Sequence, residues 1–189
     1  MPYASSLTRG TEMGKAVFLD RDGTLMVDHG YVGDPYRVEL LPGVVPALLA
    51  LQGAGYSLII VSNQSGIGRG LLTAADVDAV NERLRTILSS HGIGLNGIYY
   101  CPHGPEQGCD CRKPKPGLLL AALSGHGLDP AECYMLGDKW SDVEAGAAAG
   151  VTPVYIGTRV EEPTCRDIDM QTANSMLDWT LRMQREGLL

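Results

Sequence analysis

Short apolar runs and amphipathic stretches alternate along this chain. The runs at 16–20 (Ala-Val-Phe-Leu-Asp), 57–62 (Ser-Leu-Ile-Ile-Val-Ser), 97–100 (Gly-Ile-Tyr-Tyr), 133–136 (Cys-Tyr-Met-Leu) and 152–156 (Thr-Pro-Val-Tyr-Ile) read as five strands. They are near-continuously apolar, the pattern of strands covered on both faces, as in a parallel sheet. Helical patterns lie between them. Pro42-Gly43 opens one through Val44, Pro46, Leu48, Leu49 and Leu51, closed by Gly53 and Gly55. Pro46 falls in the first turn, where the missing N–H is tolerated. Thr73-Ala74-Ala75-Asp76 resembles a capping box, and Val77, Val80, Leu84, Ile87 and Leu88 then form one stripe. Pro116-Gly117 opens a helix over 118–123, an alanine-rich helix covers 140–149, and a last one covers 175–185. Strand and helix in turn predict an α/β fold: a three-layer, Rossmann-like parallel sheet. Residues 26–41, with Gly30, Gly33 and Pro35, follow neither period and are expected to lie over the strand ends.

The length of 189 residues suits a single domain over 15–189, after a polar and flexible N-terminal arm over 1–14. Hydrophobic content of 44% and charged content of 20% are those of a globular chain. A net charge of −7 argues against nonspecific binding to nucleic acid or to an anionic membrane surface. It also means that any phosphate site must gather its cations locally. No apolar run approaches the ~20 residues of a membrane span, and the arm has no apolar signal core. A cytoplasmic monomer is expected. Three of the five cysteines crowd between Cys101 and Cys111, which in a reducing compartment argues for metal rather than disulfides.

Three predicted strands end in polar residues: Asp20-Arg21-Asp22-Gly23, Ser62-Asn63 and Gly137-Asp138. Parallel strand ends converge on one edge, where open α/β sheets bind their ligands. Asp20, Asp22 and Asp138 would repel one another unless a cation sat among them, and hard oxygen donors suit Mg²⁺. Lys113, just before a helix, could hold Asp20 and a transferring phosphoryl group. Ser62 and the backbone N–H groups after it could donate to phosphoryl oxygens. The chemistry this suggests is attack by Asp20 on phosphorus, with Asp22 as general acid and then base. A second group is Cys101, His103, Cys109 and Cys111: four ligands within eleven residues, suited to a closed, structural Zn²⁺ site. Such a metal would stiffen a Gly- and Pro-rich loop (101–111) that leads straight into Arg112 and Lys113.

Asp20-x-Asp22-Gly23-Thr24, Ser62-Asn63, Lys113 and Gly137-Asp138-x-x-x-Asp142 resemble the four motifs of the haloacid dehalogenase superfamily of phosphatases. The resemblance covers about 16–156. With the Cys-x-His…Cys-x-Cys-Arg-Lys-Pro loop it narrows to the branch that holds heptose bisphosphate phosphatases and histidinol phosphate phosphatases. It implies Asp20 as nucleophile, Asp22 as acid and base, and Ser62 and Lys113 as stabilisers of the phosphoryl group. It also implies Mg²⁺ on Asp20, Asp22 and Asp138, and a small phosphorylated sugar as substrate. The runs Asp28-His29-Gly30-Tyr31 and Asn63-Gln64-Ser65 look more like the heptose enzymes, where such stretches and a counterpart of Arg112 contact substrate. A heptose 1,7-bisphosphate cleaved at C7 is therefore the leading expectation. Histidinol phosphate or another small ester is the alternative, and a non-catalytic phosphate-binding module a more distant one. The motif intervals leave no room for the cap domain of larger members, so 26–41 and the zinc loop are expected to select the substrate. Asp142 would hold Lys113 or assist Asp138. Cys133 reads as a core residue and Cys165 as a loop thiol. Trp140 and Trp179 read as packing, Arg21 and Arg69 as solvated or structural cations, and His91 and His126 as groups at helix C-termini.

Overall fold

The computed structural model of the chain describes residues 14–158 and 168–189. Nearly all of the expected arm and Cys165 lie outside the described residues. Among the described residues, six strands form one parallel sheet in the order β3-β2-β1-β4-β5-β6. They are β1 (Ala16–Leu19), β2 (Ser57–Asn63), β3 (Gly97–Cys101), β4 (Tyr134–Gly137), β5 (Thr152–Ile156) and β6 (Gln171–Ala173). The helices are α1 (Val44–Gly53), α2 (Ser65–Gly68), α3 (Ala74–Ser90), α4 (Gly117–His126), α5 (Trp140–Ala149) and α6 (Met176–Arg185).

The period of two along each strand divides the core into two layers. Val17 and Leu19 of β1, with Leu58 and Ile60 of β2, pack against Leu48 and Leu51 of α1, Leu84 and Leu88 of α3 and Trp179 of α6. Ala16 and Phe18, with Ile59 and Val61, face Leu119 and Ala122 of α4 and Ala145 of α5 on the other side. Both sides of β1 are fully covered, which explains its unbroken apolar run. Truncating a residue such as Phe18 to alanine should cost about 3–5 kcal/mol.

β1 is the topological switch point. It pairs with β2 on one side and β4 on the other, and successive strands then step outward in opposite directions. The helical connections diverge there and leave a crevice over the carboxyl end of β1. Asp20 follows directly in sequence. Its N–H donates to Leu136 O at 2.9 Å, fixing the exit from the strand.

Two elements were not legible in the periodicity. β6 is three residues long with no apolar pattern; it is held by pairing with β5 and by Trp179 Nε1, which donates to Gln171 Oε1 at 2.7 Å. α2 is one short turn in what reads as a glycine-broken loop. The capping box at the start of α3 is present, with Asp76 N–H donating to Thr73 Oγ1 and Thr73 N–H to Asp76 Oδ2. Residues 26–41 contain a 3₁₀ turn, Pro35–Arg37, and are closed by an antiparallel bridge between Met26 and Leu40, and no cap domain stands over the strand ends among the described residues.

Candidate active site and metal centres

The carboxyl ends of β1, β2 and β4 bring Asp20, Ser62 and Asp138 to one edge, and Lys113 enters from the loop before α4. Lys113 is 3% exposed, yet its ammonium is fully engaged. It lies 2.6 Å from Asp20 Oδ1 and 2.6 Å from Asp142 Oδ1, and donates to Val61 O at 2.7 Å. Burial alone would depress its pKa; Asp142 and Asp20 outweigh that and hold it above its ordinary value. Asp142 is thus the partner of Lys113, the first of the two roles expected for it. Its second oxygen accepts from Lys139 N–H at 3.0 Å. A Cβ on Gly137 would collide with the Asp142 carboxylate, so this approach needs glycine.

Asn63 holds Lys113 from the other direction. Lys113 N–H donates to Asn63 Oδ1 and Asn63 Nδ2 donates to Lys113 O, each at 3.0 Å. Both polar atoms of a residue expected on the substrate are therefore spent on the backbone of the catalytic-candidate lysine. Gln64 is also turned inward. Its Nε2 donates to Ser62 Oγ at 2.6 Å and to Asp22 Oδ2 at 2.9 Å. Since Ser62 Oγ accepts that bond, its own hydrogen is free for another oxygen.

Oxygens of Asp20, Asp138 and Asp142 lie within 4.8 Å of one another. Lys113 neutralises Asp20 and Asp142, whereas Asp138 has no cation at ion-pair distance among the described residues. Thr24 Oγ1, 3.4 Å away, is its side-chain donor. Burial, reinforced by Asp20, pushes the Asp138 carboxyl up to about 6. A carboxylate so placed calls for a further positive charge, and the donor set suits Mg²⁺. Asp22 departs from the expectation that it would complete this set. Its carboxylate is directed instead to Arg21 (Nε to Oδ2 3.1 Å, Nη2 to Oδ1 3.2 Å) and to Gln64. Burial holds the Asp22 carboxyl above its usual range, against Arg21 and Gln64, which lower it. Arg21 is 1% exposed, so it is a buried structural cation and not a solvated one.

Residues 28–31 span the site. Lys139 Nζ reaches Asp28 Oδ2 at 3.1 Å beside the end of β4, and a Cβ on Gly66 of α2 would fall 2.9 Å from Tyr31 Cδ1. The segment thus crosses the end of β1, with Asp28, His29, Gly30 and Tyr31 all exposed. Gly30 N–H donates to Asp28 Oδ1 at 2.8 Å in a tight turn that uses a φ of +82°. Against the raising effect of burial, that donor and Lys139 hold the Asp28 carboxyl below its usual range. Ser65 opens α2. Lys139 follows Asp138 directly and was not singled out from the sequence; its position beside a motif acid is the signal that could have found it.

The second centre is compact. Cys111 Sγ is 3.2 Å from Cys101 Sγ and 3.3 Å from His103 Nδ1, and Cys101 Sγ is 3.6 Å from Cys109 Sγ and from His103 Nδ1. Two sulfurs on a tetrahedral zinc, each about 2.3 Å from the metal, stand about 3.8 Å apart. All four ligand atoms lie within 4.8 Å of one another, and the closest pairs are slightly nearer than on a bound zinc, so the donor set and its spacing fit Zn²⁺. The loop is fastened to the rest of the site: Gln64 N–H donates to Cys101 O and Gly68 N–H to Pro102 O, both at 2.8 Å. Arg112 emerges from it with Nη1 donating to His103 O at 3.4 Å.

Residues 110–174 match the HAD-hydrolase-like family model. The D-glycero-beta-D-manno-heptose-1,7-bisphosphate 7-phosphatase of Salmonella typhi is 43% identical over 173 residues, covering 88% of this chain and 89% of its own. That of Pasteurella multocida is 46% identical over 172 residues, covering 88% and 92%. Among solved structures, D,D-heptose 1,7-bisphosphate phosphatase from B. bronchiseptica, complexed with magnesium and phosphate, superposes with a TM-score of 0.83 at 28% identity, covering 92% of this chain and 99% of that one.

Proposed function

Because the chain belongs to the family of D-glycero-beta-D-manno-heptose-1,7-bisphosphate 7-phosphatases, HAD-like phosphoric monoester hydrolases, we propose that it hydrolyses the C7 phosphate of D-glycero-D-manno-heptose 1,7-bisphosphate to leave the 1-phosphate. The observation that carries the mechanism is the placement of Asp20 at the switch point, 2.6 Å from the buried Lys113 ammonium.

Asp20 attacks phosphorus, the bond from phosphorus to the C7 oxygen breaks, and the sugar leaves as its C7 alkoxide, giving an aspartyl-phosphate. Asp22 supplies the proton to that alkoxide. Its raised pKa, caused first by burial, favours the protonated form that this step requires. Asp22 then takes a proton from the water that attacks the aspartyl-phosphate, so the enzyme is restored. Lys113 and the Ser62 hydroxyl stabilise the charge on the phosphoryl oxygens, and Asn63 and Asp142 hold Lys113 where it can do so. Asp20 and Asp138 would hold Mg²⁺, which supplies Lewis-acid charge between the anionic nucleophile and the anionic ester. Asp28, His29, Gly30 and Tyr31 on one side, with Ser65 and Arg112 on the other, would grip the sugar and its second phosphate. Cys101, His103, Cys109 and Cys111 would hold a structural Zn²⁺. The enzyme is read as a single-domain, cytoplasmic monomer acting on a soluble sugar phosphate, without nucleic acid or membrane. The thiol-rich metal loop, suited to a reducing compartment, supports that location.

The test compares kcat/KM on heptose 1,7-bisphosphate and on histidinol phosphate with purified enzyme. A preference of 100-fold or more for the heptose is expected, and a preference for histidinol phosphate would overturn the substrate assignment. Asp20→Asn should abolish turnover with the fold and zinc content intact; surviving activity would overturn the mechanism.

A further inference from the structure

The buried charge at Arg21 has a structure of its own. Its guanidinium reaches Asp22 through both Nε and Nη2, Gln64 Oε1 through Nη2 at 3.0 Å, and Asn81 Oδ1 through Nη1 at 2.8 Å. Gln64 closes a ring by donating back to Asp22 Oδ2. All four residues are at most 9% exposed. Three of them belong to the segments just after β1 and β2. Asn81 comes from the middle of α3, sixty residues from Arg21.

Asn81 is out of pattern. It lies on the buried stripe of α3, four residues after Val77 and three before Leu84, where the period puts an apolar side chain. A buried amide is retained at the expense of apolar packing, and its Oδ1 spends itself on one atom, Arg21 Nη1. A guanidinium is a rigid planar fork, so fixing Nη1 fixes Nε and Nη2 as well. Those two atoms then set the plane of the Asp22 carboxyl. The donors are unequal: Oδ2 receives Gln64 Nε2 and Arg21 Nε, whereas Oδ1 receives only Nη2, at 3.2 Å. Oδ1 is the oxygen left open to a further partner.

We propose that Arg21 and Asn81 are positioning residues for the proton transfer at Asp22: Asn81 on α3 fixes the guanidinium, and the guanidinium holds the Asp22 carboxyl with Oδ1 presented to the ester's leaving oxygen. Neither touches the substrate. This rests on the reading of Asp22 as general acid and base in the proposed function. Proton transfer requires hydrogen-bond reach and alignment, and small misplacements of a catalytic group cost up to about 10²-fold in rate. The effect therefore belongs in kcat, with KM and metal content unmoved.

The experiment uses four variants of the full chain with magnesium and zinc bound. Asn81→Leu should lower kcat about 10- to 100-fold with KM within twofold of the wild type. Asn81→Asp keeps an oxygen acceptor for Nη1 and should recover kcat to within about threefold. Asn81→Leu leaves a buried guanidinium N–H unpaired and should lower Tm. Arg21→Met with Asn81→Leu removes that donor but leaves the Asp22 carboxyl and Gln64 Oε1 without the guanidinium, so it should regain neither Tm nor kcat. Three results would overturn the proposal. They are kcat within twofold in Asn81→Leu, equal loss in Asn81→Asp, and recovery of kcat together with Tm in the double variant, which is the mark of a merely structural role. Asp22→Asn is measured alongside. If it keeps wild-type turnover, the general-acid role falls and this proposal with it; if it is inactive while Asn81→Leu is unaffected, only the positioning role falls.

Discussion

Lys113 Nζ and Asp142 Oδ1 stand 2.6 Å apart with both side chains 2% exposed. Removing one member of such a pair leaves an uncompensated buried charge, and that costs about 3–5 kcal/mol. Lys113 retains Asp20, so Asp142→Ala should fall near the lower figure in urea unfolding. Asp142→Asn keeps a carbonyl acceptor for the ammonium and should cost about half as much. Both should lower kcat at least tenfold in a phosphate-release assay, because Lys113 would then lean on Asp20 alone. An Asp142→Ala protein of wild-type stability would contradict the buried pair.

Asp138 predicts a pH dependence with a definite sign. Its pKa is raised from the usual ~3.9 to about 6, first by burial and then by Asp20. A carboxyl raised in the folded state is fully bound by its proton below the unfolded value, where it carries no penalty. As pH rises from the unfolded value to about 6, the unfolded state gives up the proton that the folded state retains, so stability falls, and it levels off above 6. In metal-free protein Asp138→Asn should therefore match the wild type near pH 4 and become more stable by pH 7. The full displacement corresponds to about 3 kcal/mol; Asp138 is only part-buried, and screening reduces the gain to ~1–2 kcal/mol. Added Mg²⁺ should reverse the order, since only the wild type gains the ion. Thermal unfolding from pH 4 to 7, with and without Mg²⁺, checks both halves.

Gly23 has φ +92°, and a Cβ there would run into the Asp138 carboxylate. Gly23→Ala combines backbone strain with displacement of a metal-ligand candidate. A stability loss of at least ~1 kcal/mol is expected, together with weaker Mg²⁺ activation. Gly70, with φ +68° and open space around it, is the control: Gly70→Ala should cost stability by strain alone and leave Mg²⁺ activation unchanged.

Zinc removal tests the second centre. Metal analysis should find one zinc per chain, and Cys109→Ser or chelation should release it. The loop runs on to Arg112 and Lys113 and is hydrogen-bonded to Gln64 and Gly68, so activity should fall while the sheet persists by circular dichroism. Protein purified without chelator and found free of zinc would sink the assignment.

Much of the fold was readable in order along the chain. The unbroken apolar runs of β1 and β2 announce strands covered on both faces, and Thr73 and Asp76 announce the start of α3. β6 escaped because its three residues have no apolar period; pairing with β5 and the Trp179 bond hold it, and both are long-range. At the site, the acids, Lys113 and the four zinc ligands stand out by residue type and spacing. Arg21 and Asn81 do not: an arginine between two acids reads equally as a solvated or a structural cation, and an asparagine in a helix reads as surface until the stripe is followed residue by residue. Asn63 and Gln64 were expected on the substrate, and burial has turned them to Lys113 and to Asp22. Two adjacent amides cannot disclose which way their side chains point.

Residue order alone names the groups this protein has to work with and the strand or helix end near which each one falls. Local patterns of period, capping and motif spacing carry that information. The pairings emerge only on folding: Lys113 with both Asp20 and Asp142, the Asp22 carboxylate with Arg21 rather than with the Asp20–Asp138 set, and Arg21 with Asn81. Those choices come from strand order and burial. The reversal at β1 brings residues more than a hundred positions apart to one edge, and in that buried crevice each charge must find a partner or do without water. Asp138 is the carboxylate left without a protein cation at ion-pair distance among the described residues, and the metal reading rests on it.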